Sequence, residues 1–297
     1  MKAGFVSLVG RPNAGKSTLL NRIIGTKVAI VSDKPQTTRT RILGVRHGTS
    51  ECPGQAVFLD TPGIHRPLHR MNVRMVDQAV ETITQVDVLV LVVDATASAG
   101  AGDRFVLDLV ARSSGPVILA LNKIDLMAKP RLLPIIDRYR QERDFAGLVP
   151  ISAMLGDGIS NLESVIWSRL PDGEPLYPDD YLTDQPERLI VAEMVREKLL
   201  RQTDDELPFS SAVVVDQFEE AGSDGIMRLY CSIVVDRDSH KPIVIGQRGR
   251  RIKQIGTEAR HELERFFGAR VFLDLHVRVR SGWRENDRML REIGLTR

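Results

Sequence analysis

The chain has 297 residues, 42% of them hydrophobic and 27% charged, with a formal net charge of +2. One hydrophobic core rarely grows past about 250 residues, so this length admits two domains, and the composition excludes disordered and fibrous classes. The longest apolar run, residues 88–93, is far short of the roughly 20 residues that span a bilayer, which excludes a membrane-spanning helix.

A single Lys followed by Phe5-Val-Ser-Leu-Val9 and a glycine motif leaves no room for a signal peptide, so a cytoplasmic location is expected. Cys52 and Cys231 are far apart and lack metal-ligand spacing, which points to idle thiols rather than to zinc or a disulfide.

Over the first 170 residues, short apolar runs at 5–9, 56–59, 88–93, 117–121 and 149–151 alternate with helix-like stretches. Several runs are unbroken, which means burial on both faces; the pattern predicts an α/β domain with a doubly wound, mainly parallel sheet. The first run leads into Gly10-Arg11-Pro12-Asn13-Ala14-Gly15-Lys16-Ser17-Thr18 at the start of an apolar helix. In such a loop, glycines let backbone N–H groups wrap phosphates and the helix N-terminus adds its positive end. Lys16 is then expected to reach the β and γ phosphates, and the Ser17 hydroxyl to bind Mg²⁺.

Asp60-Thr61-Pro62-Gly63 closes the run at 56–59, at a strand's carboxyl end where phosphate ligands sit in open α/β sheets. Asp60 can hold Mg²⁺ through water and the Gly63 N–H can sense a γ-phosphate, although a plain turn uses the same residues. Asn122-Lys123-Ile124-Asp125 ends the run at 117–121. The Asp125 carboxylate can accept from N1–H and the 2-amino group of guanine, which adenine does not offer. Ser152-Ala153 closes the run at 149–151 and can give a backbone N–H to guanine O6.

These elements, in this order, resemble the translation-factor-related superclass of P-loop GTPases over about 170 residues. The resemblance places a switch loop at Gln36-Thr37-Thr38-Arg39 and implies Thr38 as the second Mg²⁺ ligand, with Thr37 the neighbouring alternative. Where Ras-like enzymes carry a water-orienting glutamine, this chain has Ile64. Asn13 resembles the asparagine that a subset of these GTPases uses to bind K⁺, and an ordinary turn residue is the alternative. The expected catalytic set is thus Lys16, Thr38, Asp60, Gly63 and Asn13, with Mg²⁺ as cofactor and K⁺ as a second candidate.

Proline and acidic residues mark a linker at 171–185, followed by an expected domain at 186–285 and a tail at 286–297. Residues 181–240 hold 6 Lys/Arg against 13 Asp/Glu, whereas 241–297 hold 14 against 7. Such asymmetry suits a polyanion-facing surface as well as a solvated basic face. The element order reads helix (186–200, with Val191, Ala192, Val195 and Leu199 as a core stripe), strand, strand, glycine loop, helix (254–267) and strand (270–279). With its Gly246-Gln247-Arg248-Gly249 loop after Ile245, this order resembles the KH domain, here the smaller α+β type II form, whose loop clamps single-stranded RNA. Lys241, Arg248, Arg250, Arg251 and Lys253 would supply charge to phosphates; a helix-entry turn with solvated arginines is the bland alternative.

With both halves in place, and with Trp283-Arg284 after the last strand, the chain resembles the Era family of bacterial GTPases over essentially its full length. That resemblance implies a GTP/GDP switch, acting as a monomer, that binds near the 3′ end of small-subunit ribosomal RNA during 30S assembly. It also implies peripheral association with the inner face of the cell membrane, for which the residues themselves carry no lipidation motif or basic amphipathic helix. Two rival classes remain: a metabolic P-loop kinase, opposed by Asn122–Asp125 and the switch loops, and a passive RNA-binding protein that uses nucleotide structurally.

Overall fold

Valine and leucine alternate along residues 88–92, and their side chains divide between two cores. In β4 (Val88–Asp94) of the computed structural model, Val88, Val90 and Val92 enter one apolar cluster while Leu89 and Leu91 enter another. The structure describes all residues except 35, 50–52, 65–68, 99, 205–206 and 296–297, so the expectation for Cys52 lies outside the described residues. Burial on both faces is what a central parallel strand requires.

The elements of the first half are β1 (Lys2–Val9), α1 (Lys16–Ile24), β2 (Ile42–His47), β3 (Gly54–Asp60), α2 (Arg70–Thr84), β4, α3 (Ala101–Val110), β5 (Val117–Asn122), α4 (Leu132–Glu142), β6 (Gly147–Pro150) and α5 (Ile159–Arg169). The six strands order as β2-β3-β1-β4-β5-β6, all parallel except the edge strand β2. One core joins α1 and α5 to the sheet, and the other joins α2, α3 and α4 to its opposite face. This is the doubly wound sheet expected, with every parallel strand delivering its carboxyl end to one edge.

Strand β2 is absent from the strands read off the sequence. Its apolar stretch is broken by Gly44, and it is defined by its antiparallel pairing with β3, from Ile42 opposite Asp60 to His47 opposite Gln55.

The chain divides into two compact units. The first comprises residues 1–29, 38–68 and 75–184; the second comprises 30–37, 69–74 and 185–297. The expected linker is therefore corrected, because residues 171–184 are docked within the first unit. The Ala3 N–H donates to Pro171 O at 3.1 Å and the Val45 N–H to Leu182 O at 2.9 Å. Buried Gln55 donates to Tyr177 O at 2.7 Å and accepts from Leu176 N at 2.6 Å. Tyr177 and Tyr181 stack at 4.7 Å and pack on a small cluster of Leu43, Val45, Val57 and Leu59. The prolines mark a coil, and its tyrosines give it a surface to cover.

The second unit contains α6 (Glu187–Arg201), α7 (Leu207–Ser210), β7 (Ser211–Glu219), β8 (Ile226–Val235), α8 (His240–Ile245), α9 (Arg250–Phe267), β9 (Arg270–Val279) and α10 (Asp287–Glu292). Strands β7 and β8 pair antiparallel, with a bulge between Val215 and Gln217, and β9 adds parallel to β8. Helices α6 and α9 cover one face: Val191, Val195, Leu199, Ile255, Ala259 and Leu263 meet Val213, Leu229, Ile233 and Val271. This mixed three-stranded sheet is the α+β arrangement of a type II KH fold.

Helix α8, absent from the elements read off the sequence, leads into the expected glycine loop. Pro242 sits inside the helix, and Pro suits a first helical turn. The described part of the tail, residues 286–295, is likewise part of the unit. The Asn286 side chain caps α10 by accepting from Met289 N, and Met289, Leu290 and Leu295 are buried. Trp283 is buried too and donates to Ser210 O at 3.0 Å.

Candidate functional site

At the carboxyl edge of the sheet, β1 runs out into Gly10 and the chain turns through Asn13 (φ +62°) and Gly15 (φ +94°) before α1 starts at Lys16. Gly15 is required sterically as well as conformationally, since a Cβ there would lie 2.2 Å from the Asn122 side-chain nitrogen. Lys16 is buried, and its ammonium donates to Gly10 O at 3.3 Å and Arg11 O at 3.1 Å. Burial holds its pKa below the ordinary lysine value, an effect the nearby Asp60 carboxylate partly offsets. Arg11 reaches away to Asp103 at 3.1 Å.

Three oxygens converge beside this loop. Ser17 Oγ lies 2.6 Å from Asp60 Oδ2 and 2.7 Å from Thr38 Oγ1, and Thr38 Oγ1 lies 3.4 Å from the same carboxylate oxygen. Thr37 does not join them, because its hydroxyl donates to Lys34 O at 2.6 Å. Asp60 is fully buried and its Oδ1 has no hydrogen-bond partner. Burial pushes its pKa up to about 6, against the opposing pull of Lys16 and of the Ser17 and Thr38 hydroxyls. A hard divalent cation with an all-oxygen shell matches this set of two hydroxyls and a buried carboxylate with an unused oxygen. Thr61 is anchored by donating to Leu8 O at 2.9 Å, and the Ile64 N–H donates to Gly10 O at 3.1 Å, so the Asp60-Thr61-Pro62-Gly63 turn is tied to the P-loop. The Ile64 side chain, 1% exposed, enters the core, as its aliphatic nature demands.

The end of β5 builds a second cluster. The Asn122 side chain donates to Ala14 O at 2.8 Å and accepts from Ala153 N at 2.9 Å, joining the P-loop to the loop after β6. Lys123 is left-handed (φ +68°), and its ammonium pairs with Asp94 at the end of β4 at 2.6 Å. Partial burial raises the Asp94 pKa, but hydrogen bonds from Lys123 and Thr96 outweigh it and hold the carboxyl below its ordinary value. The turn Ile124–Leu126 then presents Asp125 to solvent.

The loop after β6, expected to donate to guanine O6, is tied down by its own backbone amides. The Ser152 N–H donates to Asp157 O at 2.9 Å and the Ala153 N–H to Asn122, so both amides are occupied. The Ser152 hydroxyl accepts from Leu155 N at 3.1 Å. These bonds brace the loop after β6 against the end of β5.

In the second unit, Gly246 (φ +73°), Arg248 (φ +52°) and Gly249 (φ +74°) form a left-handed loop between α8 and α9. Lys241, Gln247, Arg248, Arg250 and Lys253 are exposed, whereas Ile245 is half-buried. Half-buried Arg251 donates to the Ile243 carbonyl and so braces α8. Beside the loop runs an open groove of about 300 Å³, lined by Ile252, Lys253, Gly256, Thr257 and Arg260 of α9 and by Leu273 and Leu275 of β9. Its lining combines basic and hydroxyl side chains with apolar ones.

Two protein families match the two halves: the 50S ribosome-binding GTPase family over residues 5–123, and the KH domain family over residues 206–284. GTPase Era of Geotalea uraniireducens is 50% identical over 293 residues, which cover 99% of this chain and 97% of that protein. The chain belongs to the Era family of GTPases. GTPase Era of Ruminiclostridium cellulolyticum is 45% identical over similar coverage. A point variant of Aquifex aeolicus Era, solved with GDP·AlF4⁻, superposes with a TM-score of 0.95 at 40% identity, each chain covered completely. An Era solved with MgGDPNP and nucleotides 1506–1542 of 16S ribosomal RNA gives the same values.

As an Era-family member the chain is a P-loop GTPase with a C-terminal KH domain, and no helix among its described residues is long and apolar enough to cross a membrane. Sequence reasoning missed Asp94 as the partner of Lys123, although an Asp closing a buried strand beside the Asn122 strand was a usable signal. Apart from Lys253, it also missed the groove residues of α9 and β9. Their apolar spacing reads as ordinary core, and only the packing of helix on strand leaves them accessible.

Proposed function

We propose that this chain is a GTP-dependent switch that binds small-subunit ribosomal RNA near its 3′ end and takes part in 30S assembly as a monomer. The observation that carries the reading is that a full-length relative, 40% identical, has been solved with MgGDPNP and nucleotides 1506–1542 of 16S ribosomal RNA. The convergence of Ser17, Thr38 and Asp60 supports Mg²⁺ at this site, with Ser17 and Thr38 as ligands and Asp60 acting through water. When bound, Mg²⁺ neutralises charge on the β and γ phosphate oxygens. Lys16 neutralises the same phosphates, the Gly63 N–H meets the γ-phosphate, and Asp125 reads guanine from a loop that Asn122 and Lys123 hold in place.

Because Ile64 is buried, no side chain at that position orients the attacking water. Left-handed Asn13 in the P-loop supports K⁺ as a supplementary positive charge. In the second unit, phosphates lie on the Gly246–Gly249 loop with Arg248, Arg250 and Lys253 around them, and bases enter the α9–β9 groove.

The test is the affinity of a fluorescent single strand matching the 3′ end of 16S RNA, measured with GDPNP and with GDP. A switch requires differential binding, and a tenfold preference for the GDPNP form corresponds to about 1.4 kcal/mol. Equal affinity in the two states would leave a passive RNA-binding protein.

A further inference from the structure

Three consecutive charged residues, Arg196, Glu197 and Lys198, are buried in α6. Glu197 and Lys198 pair at 2.8 Å, and Lys198 also meets Glu262 on α9. Arg196, only 1% exposed, is spent differently. Glu193, one turn earlier, grips it with both oxygens, at 2.7 Å from Nε and 2.6 Å from Nη2. The same Nη2 donates to the backbone carbonyl of Thr37, while Nη1 has no hydrogen-bond partner. In the same turn, Glu197 accepts the Val31 N–H at 3.0 Å. One turn of α6 thus holds segment 30–37, which belongs to the same unit, near both of its ends.

A buried guanidinium with an unpaired nitrogen is a costly way to fill a core, since apolar residues of similar volume commonly replace buried ion pairs with no loss of stability. What Arg196 supplies and an apolar residue cannot is a directed donor on the last carbonyl before Thr38. The Thr38 hydroxyl, one peptide further on, stands 2.7 Å from Ser17 Oγ.

We propose that Arg196 is a positioning residue for GTP hydrolysis. By fixing the Thr37 carbonyl it sets the peptide plane from which Thr38 presents its hydroxyl to the Mg²⁺-binding oxygens. Glu193 keeps the guanidinium fork aimed. The inference rests on the reading of Thr38 as a Mg²⁺ ligand.

Full-length protein is assayed for single-turnover GTP hydrolysis over a Mg²⁺ series, with GDP affinity and circular dichroism measured alongside. Misplacement by about 1 Å at a reacting centre can cost 10²-fold, so Arg196→Met is expected to slow hydrolysis by about tenfold or more. It should also raise the Mg²⁺ concentration at half-maximal rate while leaving GDP affinity within about twofold. Arg196→Lys should recover part of the rate, because an ammonium can reach one carbonyl but cannot match the Glu193 fork.

The deciding measurement is Arg196→Met combined with Thr38→Ala, which should be no slower than Thr38→Ala alone, since residues acting through one another are non-additive. Wild-type rate and Mg²⁺ dependence in folded Arg196→Met, or a full additive loss in the double variant, overturns the proposal. Should both Arg196 variants fail to fold, Glu193→Gln, at a partly exposed position, carries the test: a several-fold slowing with a raised Mg²⁺ requirement is expected, and unchanged values overturn it. If Thr38→Ala itself hydrolyses normally, the reading of the Mg²⁺ site falls, an outcome separable from failure of Arg196 alone.

Discussion

Replacing Gly249 with Asp separates RNA binding from folding, because the glycine loop is unequal in its two halves. At Gly246, a Cβ would lie 2.6 Å from Arg251 Cβ and 3.0 Å from the Arg251 backbone nitrogen, so any side chain there displaces the start of α9. At Gly249, a Cβ meets nothing within 4 Å. The remaining cost is conformational: φ is +74°, and a left-handed L-residue costs about 1–2 kcal/mol, less for Asp, which visits this region more readily. Gly249 also caps the N-terminus of α9, where a negative charge returns about 0.3–1 kcal/mol. The net loss of stability is therefore about 1 kcal/mol, small against a typical folding free energy of about 5–15 kcal/mol.

The effect on RNA is larger. A carboxylate held about 5 Å from a phosphate, at an effective dielectric between about 20 and 80, is repelled by about 1–3 kcal/mol. That predicts single-stranded RNA affinity lower by about 5- to 150-fold. Arg250→Ala and Lys253→Ala should act more mildly, each reducing the slope of log affinity against log salt by about 0.7 if it neutralises one phosphate. Filter binding over a salt series, with circular dichroism to confirm folding, measures both quantities. GTP hydrolysis without RNA should be unchanged. Wild-type RNA affinity in folded Gly249→Asp protein would refute the reasoning and reduce the loop to a helix-entry turn.

The nucleotide site gives sharper expectations. Asp125→Asn should shift preference from GTP to XTP, since xanthine offers an acceptor where guanine offers its amino group; a polar-reading site discriminates by up to about 10⁴, and undiminished GTP selectivity in a competition assay would exclude Asp125 as the base reader. Exchanging K⁺ for Na⁺ should slow hydrolysis, and Asn13→Ala should abolish that difference; equal wild-type rates in the two salts would remove the cation from the mechanism. Cys231 is buried, and burial, helped by the charges of Asp216 and Asp274, pushes its thiol up to about 12. At pH 8 the thiol is therefore neutral, and a Cys52→Ser variant should resist alkylation until unfolded. Rapid labelling of the folded protein would contradict the burial of Cys231 on β8.

Much of the nucleotide site was legible in the residues because its chemistry is local. Gly15-Lys16-Ser17, Asp60 and Asn122–Asp125 each follow an apolar run, and a parallel sheet brings the carboxyl ends of its strands to one edge whatever the loops do. The KH half was readable for a similar reason, since its element order and Gly246–Gly249 loop are features of consecutive residues. Choices between neighbours were not readable in this way. Thr37 and Thr38 are chemically identical, and only the packing that turns one hydroxyl to Lys34 and the other to Ser17 and Asp60 distinguishes them.

Long-range partners lay equally outside local spacing. Strand β2 exists because β3 offers it an edge, and residues 171–184 are ordered because Gln55 and an apolar cluster receive them. The Ser152 and Ala153 amides are occupied because Asp157 and Asn122 reach them first. Arg196, an ordinary basic residue in a helical stripe, acquires its partner 159 positions away. Periodicity and motif spacing report what a residue can do with its near neighbours; which donor finds which acceptor across the fold is settled by the cost of leaving a buried polar group unpaired, and that cost is incurred only in the folded chain.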